Sequence, residues 1–148
     1  MRIAIANDQH GFAYKEVLLK SNKEHEFVDC GSYDTSPIKY PEFGEKAARL
    51  VATGECDRAI LVCGTGIGMA ITANKVKGCY AAVCHDVYST ERSILSNNAN
   101  VFCAGALVVG LKTFETLVNM WLSLEFDPAS HSAANVALVK GIEEAEYK

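Results

Sequence analysis

The amino-acid sequence predicts a single α/β domain with a five-stranded parallel sheet. Short, nearly continuous apolar runs alternate with longer amphipathic runs along the chain. Apolar runs of this kind are typical of parallel strands in a sheet that helices cover on both faces. A length of 148 residues is usual for one domain and is enough to bury a core, so we expect one domain over residues 1–148.

Five segments have the composition of buried strands, and the third is apolar without interruption from Ala59 to Cys63. Turn-forming residues such as Gly31 and Gly64 follow several of these segments. The predicted strands are Ile3–Ala6, Phe27–Cys30, Arg58–Cys63, Tyr80–Cys84 and Val101–Ala104.

Six amphipathic segments predict helices, and Ser32–Pro41 predicts a loop because it contains two prolines. The predicted helices are Phe12–Lys23, Glu42–Thr53, Ile67–Val76, Val87–Asn97, Leu111–Phe126 and Ser132–Glu146. The fifth has the clearest apolar face, which consists of Phe114, Leu117, Val118, Trp121 and Leu122. The last has a modest stripe with Leu138 and Ile142, and we expect it to pack on its own domain or on a partner subunit.

This alternation predicts a three-layer, doubly wound sandwich of the Rossmann-like or flavodoxin-like kind. Ligands of such folds bind outside the carboxyl ends of the strands. The rule selects four segments as the candidate site, namely Asn7–Gly11, Gly31–Pro41, Gly64–Gly68 and His85–Asn97.

The segment Cys63-Gly64-Thr65-Gly66-Ile67-Gly68 is the strongest chemical signal in the sequence. Its glycines allow a sharp turn and a close approach of a ligand to backbone amides, and the following helix adds free N–H groups. These features predict a site for a phosphate or for the oxyanion of a reacting intermediate. The segment is neither a Walker A loop nor a G-x-G-x-x-G fingerprint, which disfavours a nucleotide.

Cys63 stands at the mouth of this anion site, where its thiolate is favoured and could act as a general base or a nucleophile. The alternative is a buried cysteine at the end of a strand, without a role. Asp8 could polarise a substrate hydroxyl or simply cap the first helix. His10 and His85 also follow strands, although a lone histidine in a loop is more often a surface hydrogen-bonding group.

Composition excludes several classes of function. The formal net charge of −4 disfavours nucleic acids and anionic membranes as partners, because both need a positive field. No secretory signal and no membrane-spanning apolar run is visible, so we expect a cytoplasmic protein. The six cysteines form no C-x-x-C pair, and no metal site is expected.

Several segments occur together in the order of a known family. They are Tyr40-Pro41, the Cys63–Gly68 loop, Ala73-Asn74-Lys75, Asn97-Asn98-Ala99-Asn100-Val101 and Val108-Val109-Gly110. In this combination the chain resembles the ribose-5-phosphate isomerase B and galactose-6-phosphate isomerase family over essentially its whole length. The resemblance implies a homodimer or a dimer of dimers, no metal and no cofactor.

The resemblance also implies a reaction, in which an aldose phosphate and a ketose phosphate interconvert through a cis-enediolate. Cys63 would be the base, Thr65 and the loop amides would stabilise the enediolate, and Asn97 would come from the neighbouring subunit. The implied catalytic residues are Cys63, Thr65 and Asp8. The implied substrate-binding residues are Gln9, His10, Tyr40, Gly64, Gly66, Ile67, Gly68, Asn74, Ser96, Asn97 and His131.

The chain departs from the family at positions that matter for the substrate. Gln9 and Ser96 replace histidines, and the latter histidine is thought to help open the sugar ring. The arginines that hold the substrate phosphate in the family are missing. Leu107 occupies the position of one of them, and of a longer basic stretch only His131 remains. Charge-assisted hydrogen bonds are worth roughly 1.5–3 kcal/mol each, so their loss has to be offset.

Several hypotheses follow. Ribose 5-phosphate is the default substrate, with Lys39 or Arg92 as a substitute cation. Alternatively, the substrate is a hexose 6-phosphate or a free sugar. In a third hypothesis the chain has lost catalysis and serves as a binding or partner subunit.

Overall fold

Five parallel strands form one sheet in the computed structural model, which describes residues 1–147. The strands are β1 (Arg2–Asn7), β2 (Glu26–Asp29), β3 (Arg58–Cys63), β4 (Ala81–Val83) and β5 (Val101–Gly105). The helices are α1 (Phe12–Ser21), α2 (Tyr40–Ala52), α3 (Ile67–Ala73), α4 (Val87–Leu95), α5 (Leu111–Ser123) and α6 (Ala133–Glu146). The predicted α/β class is confirmed, and only the last residue of the predicted domain lies outside the described residues.

The strand order across the sheet is β2-β1-β3-β5-β4. A flavodoxin-like sheet has the order 2-1-3-4-5, so the last two strands are exchanged here. The chain reverses its direction of winding after β2, because the next strand, β3, pairs with β1 on its other side. Ligands of such sheets bind at the crevice where the winding reverses, which is the carboxyl end of β1 and β3.

Two apolar layers separate the sheet from its helices. On one face, Ala4, Leu61 and Cys103 of the strands pack with Ala47 of α2 and Met69 of α3. On the other face, isoleucines and aromatic residues of the strands pack against α1, α4 and α5. The predicted apolar face of α5 is confirmed, since its five residues are all buried in the structure. They are Phe114, Leu117, Val118, Trp121 and Leu122. Burial on both faces explains why the strands are almost purely apolar.

Several helices end at other residues than predicted, for local reasons. α2 begins two residues earlier, at Tyr40, because Pro41 is compatible with the first turn of a helix. α5 ends at Ser123, where the guanidinium of Arg58 donates to the carbonyl oxygens of Trp121 and Leu124 over 2.8 and 2.6 Å. These side-chain contacts join residues far apart in sequence, so helix periodicity could not have revealed them.

α6 is fastened to the rest of the chain mainly by polar contacts. Glu143 accepts hydrogen bonds from the amide of Gly78 and the hydroxyl of Tyr80, at 2.8 and 2.6 Å. None of the helix's described residues is buried, and Leu138 and Ile142 are 69% and 66% exposed. An apolar stripe of this helix is thus left open to solvent within one chain. No helix within residues 1–147 is long and apolar enough to cross a membrane.

Candidate active site

The crevice at the carboxyl ends of β1 and β3 is formed by two turns. The amide of Asp8 donates to the carbonyl oxygen of Val62 over 3.0 Å, which joins the two strand ends. The Asp8 carboxylate accepts hydrogen bonds from the amides of His10 and Gly11, at 2.9 and 3.1 Å. These contacts hold Asp8 in the turn before α1, and they do not cap the helix, because Gly11 is its N-cap and no side chain bonds the helix start.

The glycine loop folds its backbone around the sulfur of Cys63. The amide of Gly66 donates a hydrogen bond to Sγ of Cys63 over 3.1 Å, and the side chain is 4% exposed. Gly66 has a φ of +77°, and a methyl group added to it would lie 2.8 Å from the carbonyl carbon of Ala104. Both the left-handed backbone and the close approach of β5 require glycine at this position.

The other cysteines have a different environment. The thiols of Cys30, Cys79 and Cys84 donate to carbonyl oxygens, and burial raises the pKa of Cys79 and of Cys84 to about 11. Such thiols stay protonated at neutral pH and pack as small apolar groups. Cys63 differs in its partner, because its sulfur accepts a hydrogen bond from the backbone N–H of Gly66. Across the described chain, no cluster of three or more His, Cys, Asp or Glu side chains could hold a metal ion.

His85 contacts the glycine loop indirectly, through Gly105 of β5. Its Nε2 accepts a hydrogen bond from the amide of Gly105 over 2.9 Å, so the proton of the neutral ring is on Nδ1. Burial lowers the pKa of His85, and the neighbouring Asp86 opposes this effect. Gly105 backs directly onto the loop, since a methyl group added to it would lie 2.6 Å from Cα of Thr65. The position of His85 after a strand was visible in the sequence, but its partner was not.

Three further predicted residues lie around the loop. A methyl group added at Gly68 would lie 2.6 Å from the hydroxyl oxygen of Tyr40, which places that ring against the first turn of α3. The ring of His10 lies beside Gly64, and Oε1 of Gln9 accepts the amide of Ile38 at 3.5 Å. The structure thus brings together Asp8, Gln9, His10, Tyr40, Cys63, Thr65 and the loop glycines with Ile67.

Four predicted residues are not part of this cluster within one chain. Asn74, Ser96 and Asn97 follow the carboxyl-terminal ends of α3 and α4, near the amino ends of β4 and β5. Cys63 lies at the opposite end of the sheet, beside Gly105 at the carboxyl end of β5. The amide of Asn74 is already paired with the N–H and carbonyl of Ala81, at 2.8 and 3.0 Å. These bonds fasten Asn74 to the first residue of β4, and its role in substrate binding stays a prediction.

Asn97 instead lines a cavity of about 530 Å³ between the edge strand β4, α4 and α6. Arg92 lines the same cavity, and its Nε is buried without a hydrogen-bond partner among residues 1–147. Asn97 donates from its side chain to the carbonyl oxygen of Arg92 over 3.1 Å. His131 is exposed in the turn before α6.

A cysteine at the mouth of a glycine loop, in the crevice of a parallel α/β sheet, is an arrangement that can combine a base with donors for an oxyanion. The sequence matches the family described as Ribose/Galactose Isomerase over residues 3–139. The chain therefore belongs to the ribose/galactose isomerase family, and it is an aldose–ketose isomerase. The family resemblance predicted from the sequence is confirmed.

Individual relatives are similar over nearly the whole chain. D-erythrulose-4-phosphate isomerase 2 of Mycolicibacterium smegmatis is 51% identical over 92% of this chain and 93% of its own. Ribose-5-P isomerase B of Listeria innocua is 44% identical over 97% and 98% of the two chains. The solved structure of ribose-5-phosphate isomerase B from Clostridium thermocellum superimposes with a TM-score of 0.93, at 38% identity and 99% coverage of both chains.

Proposed function

We propose that this protein interconverts an aldose phosphate and a ketose phosphate through a cis-enediolate, with Cys63 as the base. The observation that carries the proposal is the hydrogen bond from the Gly66 amide to Sγ of Cys63. It stabilises the thiolate that proton abstraction needs, at the point where the loop also presents its remaining amides.

The reaction is a transfer of protons without a net change in oxidation state. The Cys63 thiolate takes the proton from C2 of the open-chain aldose, and the C1 oxygen becomes the oxyanion of the enediolate. Loop amides and the hydroxyl of Thr65 stabilise that oxyanion. The thiol then returns the proton to C1 while a proton moves from the C2 oxygen to the C1 oxygen, which yields the ketose. In this proposal, Asp8 and Gln9 orient substrate hydroxyls.

The proposal includes a site shared between two copies of the chain, in a homodimer or a homotetramer. Ser96 and Asn97 precede the amino end of β5, and Cys63 lies at the opposite end of the sheet in the same chain, so in this proposal they serve a neighbour's site. His131 approaches that site from the turn before α6. The exposed apolar side chains of α6, including Leu138 and Ile142, support packing against a second copy.

The substrate phosphate needs a cation in place of the missing arginines. Arg92 lines the same cavity as Asn97, so a neighbour that contributes Asn97 also brings this guanidinium close. Lys39 is exposed immediately before Tyr40, on the chain that carries Cys63. Either cation would pair with a phosphate group of the substrate.

Ribose 5-phosphate is the first candidate substrate, but a four-carbon sugar phosphate is the second and has specific support. By the family resemblance, Ser96 stands at the position of a histidine associated with opening a sugar ring. An aldotetrose 4-phosphate has no free hydroxyl on C4 and cannot close a furanose ring, so it needs no ring opening. The 51% identity with D-erythrulose-4-phosphate isomerase 2 supports the same substrate.

Proton exchange in deuterated water tests the proposal directly. Purified protein is incubated with ribose 5-phosphate, erythrulose 4-phosphate, a hexose 6-phosphate or a free sugar, and NMR follows deuterium incorporation beside the carbonyl group. Exchange with a sugar phosphate that disappears in Cys63→Ala supports the mechanism and identifies the substrate. Exchange with the free sugars alone contradicts a phosphorylated substrate. Binding without exchange on the whole panel favours the hypothesis of lost catalysis.

A further inference from the structure

Lys15 is an unusual residue of α1, because its side chain is completely buried. Its ammonium group donates to Oδ1 of Asp29 over 2.9 Å and to the carbonyl oxygen of Ser32. It also lies 5.1 Å from the ring centroid of Tyr33 and 5.5 Å from that of Phe12. Every one of these partners except Phe12 belongs to the end of β2 or to the loop that follows it.

Stability alone is a weak explanation for this arrangement. The removal of an ammonium ion from water is costly, and its pairing with a carboxylate offsets the cost only in part. An apolar side chain of similar volume often stabilises a fold as well as a buried ion pair does, or better. The Asp29 side chain is 31% exposed, which weakens the ion pair further by solvent screening.

The contacts of Lys15 fix the loop after β2 against the end of β1. Asp29 Oδ1 also accepts the amide of Gly31 over 2.9 Å. Asn7 donates its amide to the carbonyl of Gly31 at 2.8 Å and accepts the amide of Ser32 at 3.0 Å. The Asn7 side chain donates to Oγ of Ser32 at 3.2 Å. The buried ammonium group therefore closes a network that joins three elements.

Both segments in this network continue into the candidate site. Asp8 and Gln9 follow Asn7 directly, and Gln9 contacts the far end of the same loop through the amide of Ile38. That loop ends at Tyr40, whose ring lies against Gly68. Cys63 is held independently, since its carbonyl accepts the amide of Ala106 at 2.8 Å and its sulfur accepts that of Gly66.

From these contacts we infer that Lys15 is a positioning residue for substrate binding. It sets the relative placement of the turn that carries Asp8 and Gln9 and the loop that leads to Tyr40. The inference rests on the proposed function, because it assigns these two segments to the substrate and the glycine loop to the chemistry. Loss of the ammonium group should therefore weaken substrate binding and leave proton transfer at Cys63 largely intact.

The test is steady-state kinetics of Lys15→Met on the sugar phosphate that the wild type turns over. Methionine fills most of the buried space and keeps the fold. We expect KM to rise by about tenfold and kcat to stay within about threefold, because misplaced binding groups chiefly cost ground-state affinity. Lys20→Met is the matched control, since Lys20 is exposed on the same helix and should leave both constants unchanged.

Whether Lys15→Met changes KM or kcat distinguishes a positioning role from a general loss of stability. A partly unfolded variant contains fewer active molecules, which lowers kcat and leaves KM unchanged. Asp29→Asn retains an acceptor for Lys15 and Gly31, so it should raise KM less and add nothing in the Lys15→Met background. If Lys15→Met does not fold, Asp29→Asn alone decides, through a smaller rise in KM at an unchanged kcat.

The outcomes are distinguishable. An active wild type with an unchanged KM in Lys15→Met, or with a loss in kcat alone, overturns the positioning role and leaves the proposed function standing. A wild type without turnover on every sugar phosphate of the panel overturns the proposed function and the inference with it.

Discussion

Gly66 donates its backbone N–H to Sγ of Cys63 across 3.1 Å, three residues along the same loop. The left-handed φ of +77° at Gly66 turns this N–H back towards the end of β3. A hydrogen bond from an amide stabilises a thiolate more than a thiol, because a charged acceptor strengthens it. In the proposed function, the base and the turn that activates it are therefore a single structural unit.

The first prediction concerns this base. Cys63→Ala should lower isomerisation by about 10² to 10⁴-fold, since that is the usual contribution of general acid–base catalysis. Cys63→Ser should be nearly as inactive, because a hydroxyl is a far weaker acid than a thiol. Deuterium incorporation followed by NMR measures the activity, and circular dichroism checks the fold.

Cys103→Ala is the control for this pair of variants. Cys103 is equally buried on the neighbouring strand, and burial raises its pKa well above the usual value. It should lose stability and keep its activity per folded molecule. Retention of activity by Cys63→Ala would contradict the assignment of the base.

The second prediction separates backbone strain from steric exclusion in the loop. Gly66→Ala should be destabilised by more than the roughly 1–2 kcal/mol of a left-handed alanine, because its methyl group would meet the backbone of Ala104. Gly54→Ala is matched, since Gly54 has a φ of +78° but open space around it. Gly54→Ala should lose only the stability that a left-handed backbone costs an alanine, and it should remain active. Urea unfolding compares the two variants, and equal losses of stability would refute the steric argument.

The sequence predicted the elements that depend on local patterning. Continuous apolar runs gave the five strands, and the apolar face of α5 was predicted residue by residue. The glycine loop was recognised because its position after β3 and its composition both indicate an anion site. The order of β5 and β4 in the sheet was not predictable, because strand pairing depends on tertiary contacts that leave no local periodicity.

The features that the sequence did not reveal all depend on distant partners. Lys15 looks like an ordinary solvated helix residue, and only the fold places Asp29 against it. Asn74 belongs to a segment that carries the family resemblance, which suggested a substrate contact, and within one chain its amide bonds to the first residue of β4. The partner of His85 was equally invisible, because Gly105 lies 20 residues further along the chain.

The third prediction uses that histidine. In the folded state, burial and the amide of Gly105 favour neutral His85, so its folded pKa lies below the unfolded value of 6.5. The unfolded chain then binds more protons, and stability present above pH 6.5 is lost as the pH falls below it. The melting temperature of the wild type should fall more between pH 7.5 and 5.5 than that of His85→Gln. The glutamine keeps a hydrogen-bond acceptor but has no titrating ring. Parallel curves for the two proteins would rule out this contribution.

The last prediction tests the shared site. Asn97→Ala and Cys63→Ala should each be inactive, because Asn97 serves the site of the neighbouring subunit in the proposed function. After the two variants are unfolded and refolded together, half of the dimers should be mixed, and each mixed dimer should hold one intact site. The mixture should regain about a quarter of the wild-type activity. Native mass spectrometry verifies that mixed dimers have formed.

A mixture of Cys63→Ala with Cys63→Ser provides the negative control for that experiment. Both variants carry the defect in the glycine loop, so every site of every mixed dimer lacks its base and no activity should return. Recovery is therefore expected only when the two substitutions lie in halves of the site that different subunits contribute. If mixed dimers of Asn97→Ala and Cys63→Ala form and stay inactive, Asn97 acts within its own chain, and the proposal of a site shared between two copies is wrong.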